Sequence, residues 1–307
     1  MALFTRTSES LRNRRVLVTG AARGIGAALA RRLTERGARV ALLGLERTEL
    51  EKVASECGGA PWAECDVSDR AQVDEGVALA VRELGGLDVV VANAGVAAQL
   101  PLIGGNPDVF ERHLSVNVLG VYYTLRATGP HVSHANGYAL AISSLAAALH
   151  PPLLGAYSAS KAAVEAMSNS LRIELSASGA RVGVGYFAEL DTDMTRRGFG
   201  TEAASKIRKA GPFTSVAPLS IGIDALERGI TRRSRRIGAP WWVEAVLPFR
   251  MPAQRVVEVL MRKGVEEALR VAREENAPLT TMQPASGGRP FATSDGPRSG
   301  SFVAKAR

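Results

Sequence analysis

Six short runs of apolar and β-branched residues punctuate the first two thirds of the chain: RVLVTG, RVALLG, WAECDV, LDVVVANAG, YALAISS and RVGVGYF. None alternates strictly between apolar and polar residues, the pattern expected of strands covered on both faces. Segments of helical length separate them, over about 25–36, 46–56, 69–84, 107–135 and 157–178. Strands that alternate with helices predict βαβ units on one parallel sheet. The expected fold class is therefore α/β: a doubly wound parallel sheet of about seven strands in three α/β/α layers.

The rest of the 307 residues divides by composition. Residues 1–13 form an N-terminal arm, 14–238 the main domain, 239–276 a helical extension, and 277–307 a tail rich in Gly, Pro, Ser and Thr that is expected not to fold. Within the main domain, 188–215 is polar, broken by glycine and too long for a simple connection, which marks it as a substrate loop. Helices are expected around 220–230 and, as one amphipathic stretch, over about 253–275, where Val257, Met261, Val265, Ala268 and Ala272 keep helical spacing. The uncharged stretch 137–157 approaches the length of a membrane span, but Pro151 and Pro152 break it. It reads as a buried strand followed by a loop.

Two cysteines, Cys57 and Cys65, are too few for a disulfide framework and lack metal-site spacing, so no metal is expected. With no apolar segment long enough for a signal peptide ahead of the first arginines, the expected setting is cytoplasmic. The net charge of +8 is spread along the chain, and its densest cluster, TRRSRR at 231–236, lacks interleaved aromatic residues. It reads as a solvated edge, and no nucleic-acid partner is expected. Residues 232–251 mix arginines, two tryptophans and apolar side chains. That mixture fits either a cover over the pocket or subunit contact, or a segment lying on a membrane surface.

The first strand runs directly into GAARGIGAALARRL, with Gly20, Gly24 and Gly26 ahead of a helix. A glycine turn at a helix N-terminus suits phosphate, because backbone N–H groups and the helix dipole converge where a side chain would block approach. The spacing is T-G-x-x-x-G-x-G. In this position it resembles the short-chain dehydrogenase/reductase superfamily in its common, non-extended form, which has a Rossmann-type sheet. Asp66 in CDVSD, the ANAG of residues 92–95, Asn117 in SVNVLG, and the set Ser144, Tyr157 and Lys161 agree with that family in order and spacing over about residues 14–194.

The resemblance implies an NAD(P)-dependent oxidoreductase that interconverts a secondary alcohol and a ketone. Tyr157 would be the general acid/base, Ser144 would hydrogen-bond the substrate oxygen, Lys161 would bias Tyr157 and hold the nicotinamide ribose, and Asn117 would place a water. Gly20, Arg23, Gly24, Ile25, Gly26, Asp66, Val67, Asn93, Ala94, Gly95 and Thr192 would contact the cofactor together with Tyr157 and Lys161. Ser143 competes for the serine role, but the thirteen-residue separation from Tyr157 selects Ser144. On physical grounds, a tyrosine acting as a base near neutral pH needs about 4 kcal/mol of preference for its phenolate, and a nearby ammonium supplies much of it.

Two departures from the family pattern bear on specificity. Phe187 and Ala188 stand where the family has Pro-Gly, and the added apolar wall points to a lipophilic alcohol or ketone. Gly44 stands where NAD-preferring relatives carry aspartate, and Glu46 is offset by the strand pleat. With no acid at 44 to repel a 2′-phosphate, and Arg23 available to pair with it, NADP is favoured over NAD. Homodimers or homotetramers through 107–135 and 157–178 follow from the resemblance. A non-catalytic dinucleotide-binding regulator or scaffold is the alternative, although such relatives lose the tyrosine or lysine retained here.

Overall fold

Alternate residues of every central strand face opposite sides of the sheet, and each side has its own apolar layer. The computed structural model describes residues 11–198, 201–208, 216–275 and 279. Most of the arm and of the tail, and part of the substrate loop, lie outside them. In chain order the first half contains β1 (Arg15–Thr19), α1 (Gly24–Glu35), β2 (Arg39–Gly44), α2 (Arg47–Glu56), β3 (Trp62–Glu64), α3 (Arg70–Leu84) and β4 (Val89–Ala92). There follow α4 (Pro107–His113), α5 (Gly120–Val132), β5 (Tyr138–Ile142), α6 (Gly155–Glu174) and β6 (Arg181–Phe187). The last part comprises α7 (Asp193–Gly198), α8 (Glu202–Arg208), α9 (Leu219–Arg232), β7 (Arg236–Ala239), α10 (Trp242–Val246), α11 (Arg250–Leu260) and α12 (Val265–Glu275).

The seven strands form one parallel sheet in the order β3-β2-β1-β4-β5-β6-β7. Val16, Val18, Leu42 and Leu140 pack with Leu29, Leu33 and Leu226 on one face; Leu17, Leu43, Val90 and Ala141 pack with Val73, Val77 and Val164 on the other. Burying each leucine or valine contributes about 1.5–3 kcal/mol, which holds the register against a one-residue slip that would turn every side chain over. The strand order reverses between β1 and β4. Ligands bind at such a point, outside the carboxyl ends of the strands, because the connections leave in opposite directions and open a crevice.

Three expectations need correction. The single helix over 107–135 is interrupted by a π-helical segment, Leu114–Leu119, between α4 and α5. Gly120 packs there so tightly on Val67 that an added Cβ would lie 2.6 Å from its Cγ2. The amphipathic stretch 253–275 is likewise two helices, α11 and α12, separated by a turn in which Gly264 takes φ +81°. Finally, the stretch 188–215, expected as a loop, contains the helices α7 and α8. Ala203 and Ile207 of α8 are buried against Ala268, Val271 and Ala272 of α12, and the Glu275 carboxylate accepts from the amides of Glu202 and Ala203 at 3.2 and 3.3 Å.

Candidate active site

At the crevice between β1 and β4 the chain builds a cavity of about 350 Å³ that runs from the glycine turn to α11. Its first wall is the turn after β1. Gly20 (φ +63°) and Gly24 (φ +54°) take a left-handed backbone, and a Cβ on Gly20 would lie 2.7 Å from the Ala94 Cα. The Asn93 side chain fastens this turn to β4, donating to the carbonyls of Thr19 and Gly20 at 2.9 and 3.2 Å. Thr19 returns the tie by accepting from the amides of Asn93 and Ala94 at 3.0 and 3.1 Å. Arg23, the N-cap of α1, makes no side-chain capping bond. Helix dipole and uncapped N–H groups together suit the phosphates of a dinucleotide.

The next wall carries charge. Arg23 lies bidentate on Glu46, at 2.9 and 2.7 Å, with Asp193 of α7 at 3.8 Å. Glu46, expected to be offset by the strand pleat, instead faces the cavity: β2 ends at Gly44, and the chain turns Glu46 inward beside Arg23. Asp66 accepts from the amide and hydroxyl of Ser68 and from the Arg112 guanidinium at 2.9, 2.7 and 2.9 Å. Burial opposes its ionisation, yet these hydrogen bonds outweigh it and hold the carboxyl below its ordinary range. A carboxylate offers about four acceptor positions, so Asp66 keeps one for a ligand.

Tyr157, in the first turn of α6, is only 7 % exposed, with its hydroxyl hydrogen-bonded to Ser144. Ser144 Oγ also accepts from the Ala146 amide at 3.1 Å and donates weakly to the Phe187 carbonyl at 3.4 Å. Its rival Ser143 is engaged elsewhere, donating to the Lys161 carbonyl at 2.8 Å. Lys161, one turn beyond Tyr157, sends its ammonium to the Ile142 carbonyl at 2.9 Å and lies 5.6 Å from the tyrosine ring centroid. Burial acts on both partners. It pushes Tyr157 up to about 12, with the Ser144 hydrogen bond pulling the other way, and lowers Lys161 to about 8. Burial thus favours the neutral phenol, and the phenolate expected with Lys161 needs further positive charge beside it.

Of the residues singled out in the sequence, Gly20, Arg23, Gly24, Ile25, Asp66, Val67, Asn93, Ala94, Gly95, Ser144, Tyr157, Lys161 and Thr192 all line this cavity. Two lie behind it. A Cβ on Gly26 would fall 2.2 Å from the Gly20 carbonyl oxygen, so this glycine serves close packing of the turn. Asn117, fully buried in the π-helical segment, accepts from the Val96 amide at 2.8 Å and donates to the Val96 carbonyl and the Ser160 hydroxyl, both at 2.9 Å. Phe187 lines the cavity but is mostly committed to the core beneath it.

Two residues not singled out in the sequence, Arg112 and His113, also belong here: Arg112 lines the cavity and His113 stands behind Tyr157. His113 is fully buried, accepts from the Ala98 amide at 3.0 Å through Nε2, and meets the Tyr157 ring edge-on at 6.4 Å. It precedes Asn117 by four positions, a spacing that places both on one helical face. That spacing was the available signal. The far end of the cavity is apolar, with Leu149, Leu153, Leu154, Met194, Val257 and Met261.

Comparison with known proteins agrees with this fold. A family model described as short chain dehydrogenase matches residues 14–212. Glycine betaine reductase ATRR of Emericella nidulans is 38 % identical over 195 residues, 62 % of this chain, but the match spans only 15 % of that much longer protein. The hydroxysteroid 11-beta-dehydrogenase 1-like protein of Gallus gallus is 29 % identical over 270 residues, covering 84 % of this chain and 91 % of the relative. A short chain dehydrogenase from Burkholderia cenocepacia J2315, solved in complex with NADP, superposes with a TM-score of 0.67 at 27 % identity, over 75 % of this chain and 97 % of that one. Matched over most of its sheet and carrying the family's residues around one crevice, the chain belongs to the short-chain dehydrogenase family and is an NAD(P)-dependent oxidoreductase.

Proposed function

We propose that the enzyme interconverts a lipophilic secondary alcohol and the corresponding ketone, with Tyr157 as the group that gives or takes the proton. The observation that carries this reading is the Tyr157 hydroxyl, hydrogen-bonded to Ser144 in the cavity that also holds Lys161 and the glycine turn. A phenol pushed up to about 12 is protonated at neutral pH, the form that donates to a ketone oxygen. Ser144 exchanges its long 3.4 Å bond to Phe187 for the substrate oxygen and steadies the charge that develops there. Lys161 spends one of its three N–H donors on Ile142 and keeps the others for the ribose hydroxyls. When bound, the nicotinamide dinucleotide accepts or supplies the hydride, and its oxidised form adds the positive charge that favours a phenolate. Both N–H donors of the Asn117 side chain are engaged, so a water that links Lys161 to solvent would be held by an acceptor of this residue, its Oδ1 or its backbone carbonyl.

The finer assignments follow the same chemistry. Residues 14–238 act as the catalytic unit, and 239–276 as an extension that closes the apolar end through Val257 and Met261. NADP is favoured, with Arg23 receiving the 2′-phosphate and Glu46 competing for the same guanidinium. Buried free thiols at Cys57 and Cys65 support a reducing, cytoplasmic setting. Subunits pair through α5 and α6, where Tyr122 and Ile173 are exposed.

The test is to titrate the purified protein with NADP and NAD, then follow oxidation of the reduced cofactor with a panel of ketones of rising hydrophobicity. Tighter NADP binding and turnover that improves with apolar size are expected. Failure of both dinucleotides to bind, or turnover confined to small polar substrates, would overturn the reading.

A further inference from the structure

Helix α11 has two faces with different tasks. Its inner face carries Val257, buried at 5 %, which lines the cavity together with Met261 just past the helix end. Arg250, at its start, is fixed bidentate on Glu165 of α6 at 3.2 and 2.8 Å, which ties the helix to the element bearing Tyr157 and Lys161. The outer face is covered by nothing among the described residues. There Met251 is 77 % exposed, Val256 50 % and Val259 63 %, with Phe249 at 65 % just before the first turn. Met251, Arg255 and Val259 are spaced by four and form one row along the helix, and Pro252 and Val256 form the row beside it. A single exposed apolar side chain is ordinary. Such a row differs from the neighbouring α12, whose Ala268, Val271 and Ala272 all turn inward.

The charges on this face decide what fits it. Arg255 sits in the middle of the apolar row, and Arg262 and Lys263 follow at the turn, all exposed. None of the three is ion-paired among the described residues. The acid at the edge, Glu258, accepts from Gln254 at 3.4 Å. A symmetric dimer through this face would set the same three cations against their own copies, a like-charge contact. An anionic lipid surface meets both needs, taking the apolar row into the acyl boundary and the cations at the headgroups.

We propose that the outer face of α11, with Phe249 and the Arg262–Lys263 turn, docks on an anionic lipid surface while its inner face walls the cavity. No described helix is long and apolar enough to cross a membrane, so the contact lies in the interface plane. The cavity wall is then about one helix diameter, roughly 10 Å, from the lipid. A lipophilic molecule dissolved in the bilayer has a short path to Tyr157. The segment overlaps the 232–251 stretch singled out in the sequence only at residues 249–251, and docking rests on residues 249–263.

The test uses the full chain, sedimented with vesicles of phosphatidylcholine alone and of phosphatidylcholine mixed with phosphatidylserine. Wild type is expected to sediment with the mixed vesicles. Met251→Ser/Val259→Ser and Arg255→Glu/Arg262→Glu, both at exposed positions, are each expected to lose about tenfold in that binding while dinucleotide affinity stays unchanged. Absence of wild-type binding to the mixed vesicles overturns the proposal, as does binding that survives in both variants. It is equally overturned if wild type stays off the vesicles as a dimer that Met251→Ser/Val259→Ser splits, which would make a second copy the occupant. None of these readouts needs turnover, so they stand apart from the outcome of the oxidoreductase test.

Discussion

Lys161 Nζ lies 5.6 Å from the centroid of the Tyr157 ring and donates to the Ile142 carbonyl at 2.9 Å, so the two side chains share one desolvated space. Burial lowers Lys161 from 10.5 to about 8, which makes the fold sensitive to pH. Between those values the unfolded chain binds more protons than the folded one, and stability rises with pH through the window. Below it, the buried charge costs up to about 3 kcal/mol. Lys161→Met removes that cost. In urea unfolding, the variant is expected to gain on wild type near about pH 7 and to lose the advantage by about pH 10. A gap that is constant across the range would show that Lys161 carries no such penalty. Tyr157 contributes in the opposite sense, stability falling as pH rises from 10.0 to about 12, because its folded value is raised from the one to the other.

Gly26 tests the packing of the glycine turn. An alanine there would bring its Cβ within 2.2 Å of the Gly20 carbonyl oxygen and 2.7 Å of Asn93 Nδ2, both of which hold the turn. Gly26→Ala is expected to cost about 3 kcal/mol and to weaken dinucleotide binding at least tenfold. Gly129→Ala is the contrast: beyond its chain neighbours its Cβ meets nothing within 4 Å, so the change is expected to carry only the smaller cost of a Cβ ahead of Pro130 in a helix and to leave dinucleotide binding unchanged. Calorimetric unfolding and dinucleotide titration of the two variants check both statements.

The Arg23–Glu46 pair, closed at 2.7 Å, is expected to tune cofactor choice. Glu46→Gln keeps the shape but removes the charge that competes for the guanidinium and repels a 2′-phosphate. The ratio of NADP to NAD affinity should rise by about tenfold, roughly the value of one charge-assisted contact. An unchanged ratio would remove Arg23 from phosphate recognition.

Ala268 of α12, fully buried against α8, joins the extension to the substrate loop. Ala268→Asp places an unpaired charge in that contact and is expected to raise KM for ketones several-fold, while the dinucleotide Kd stays within about twofold. Glu275→Gln, which weakens the cap on the amides of Glu202 and Ala203, should move KM in the same direction by less. Equal losses in KM and dinucleotide Kd would point instead to general unfolding.

Much of this arrangement was legible in the sequence, because the alternation of strands and helices and the glycine turn follow from patterns spanning few residues. Ser144, Tyr157 and Lys161 could be placed on one edge from the position of a helix after its strand. The misses share a cause: they depend on contacts between distant segments. The commitment of Asn117 to Val96 and Ser160 depends on the π-helical turn, which no periodicity announces. The pairing of Glu46 with Arg23 requires knowing how the chain leaves β2. The burial of Ala203 and Ile207 depends on α12, which follows more than 60 residues farther on.

The central claim is that Tyr157 transfers the proton, and Tyr157→Phe tests it directly. The substitution keeps the ring against His113 and removes only the hydroxyl bonded to Ser144. Ketone reduction measured at saturating cofactor is expected to fall by about a thousandfold, with dinucleotide Kd unchanged within about twofold. Turnover of Tyr157→Phe at the wild-type rate would contradict the account.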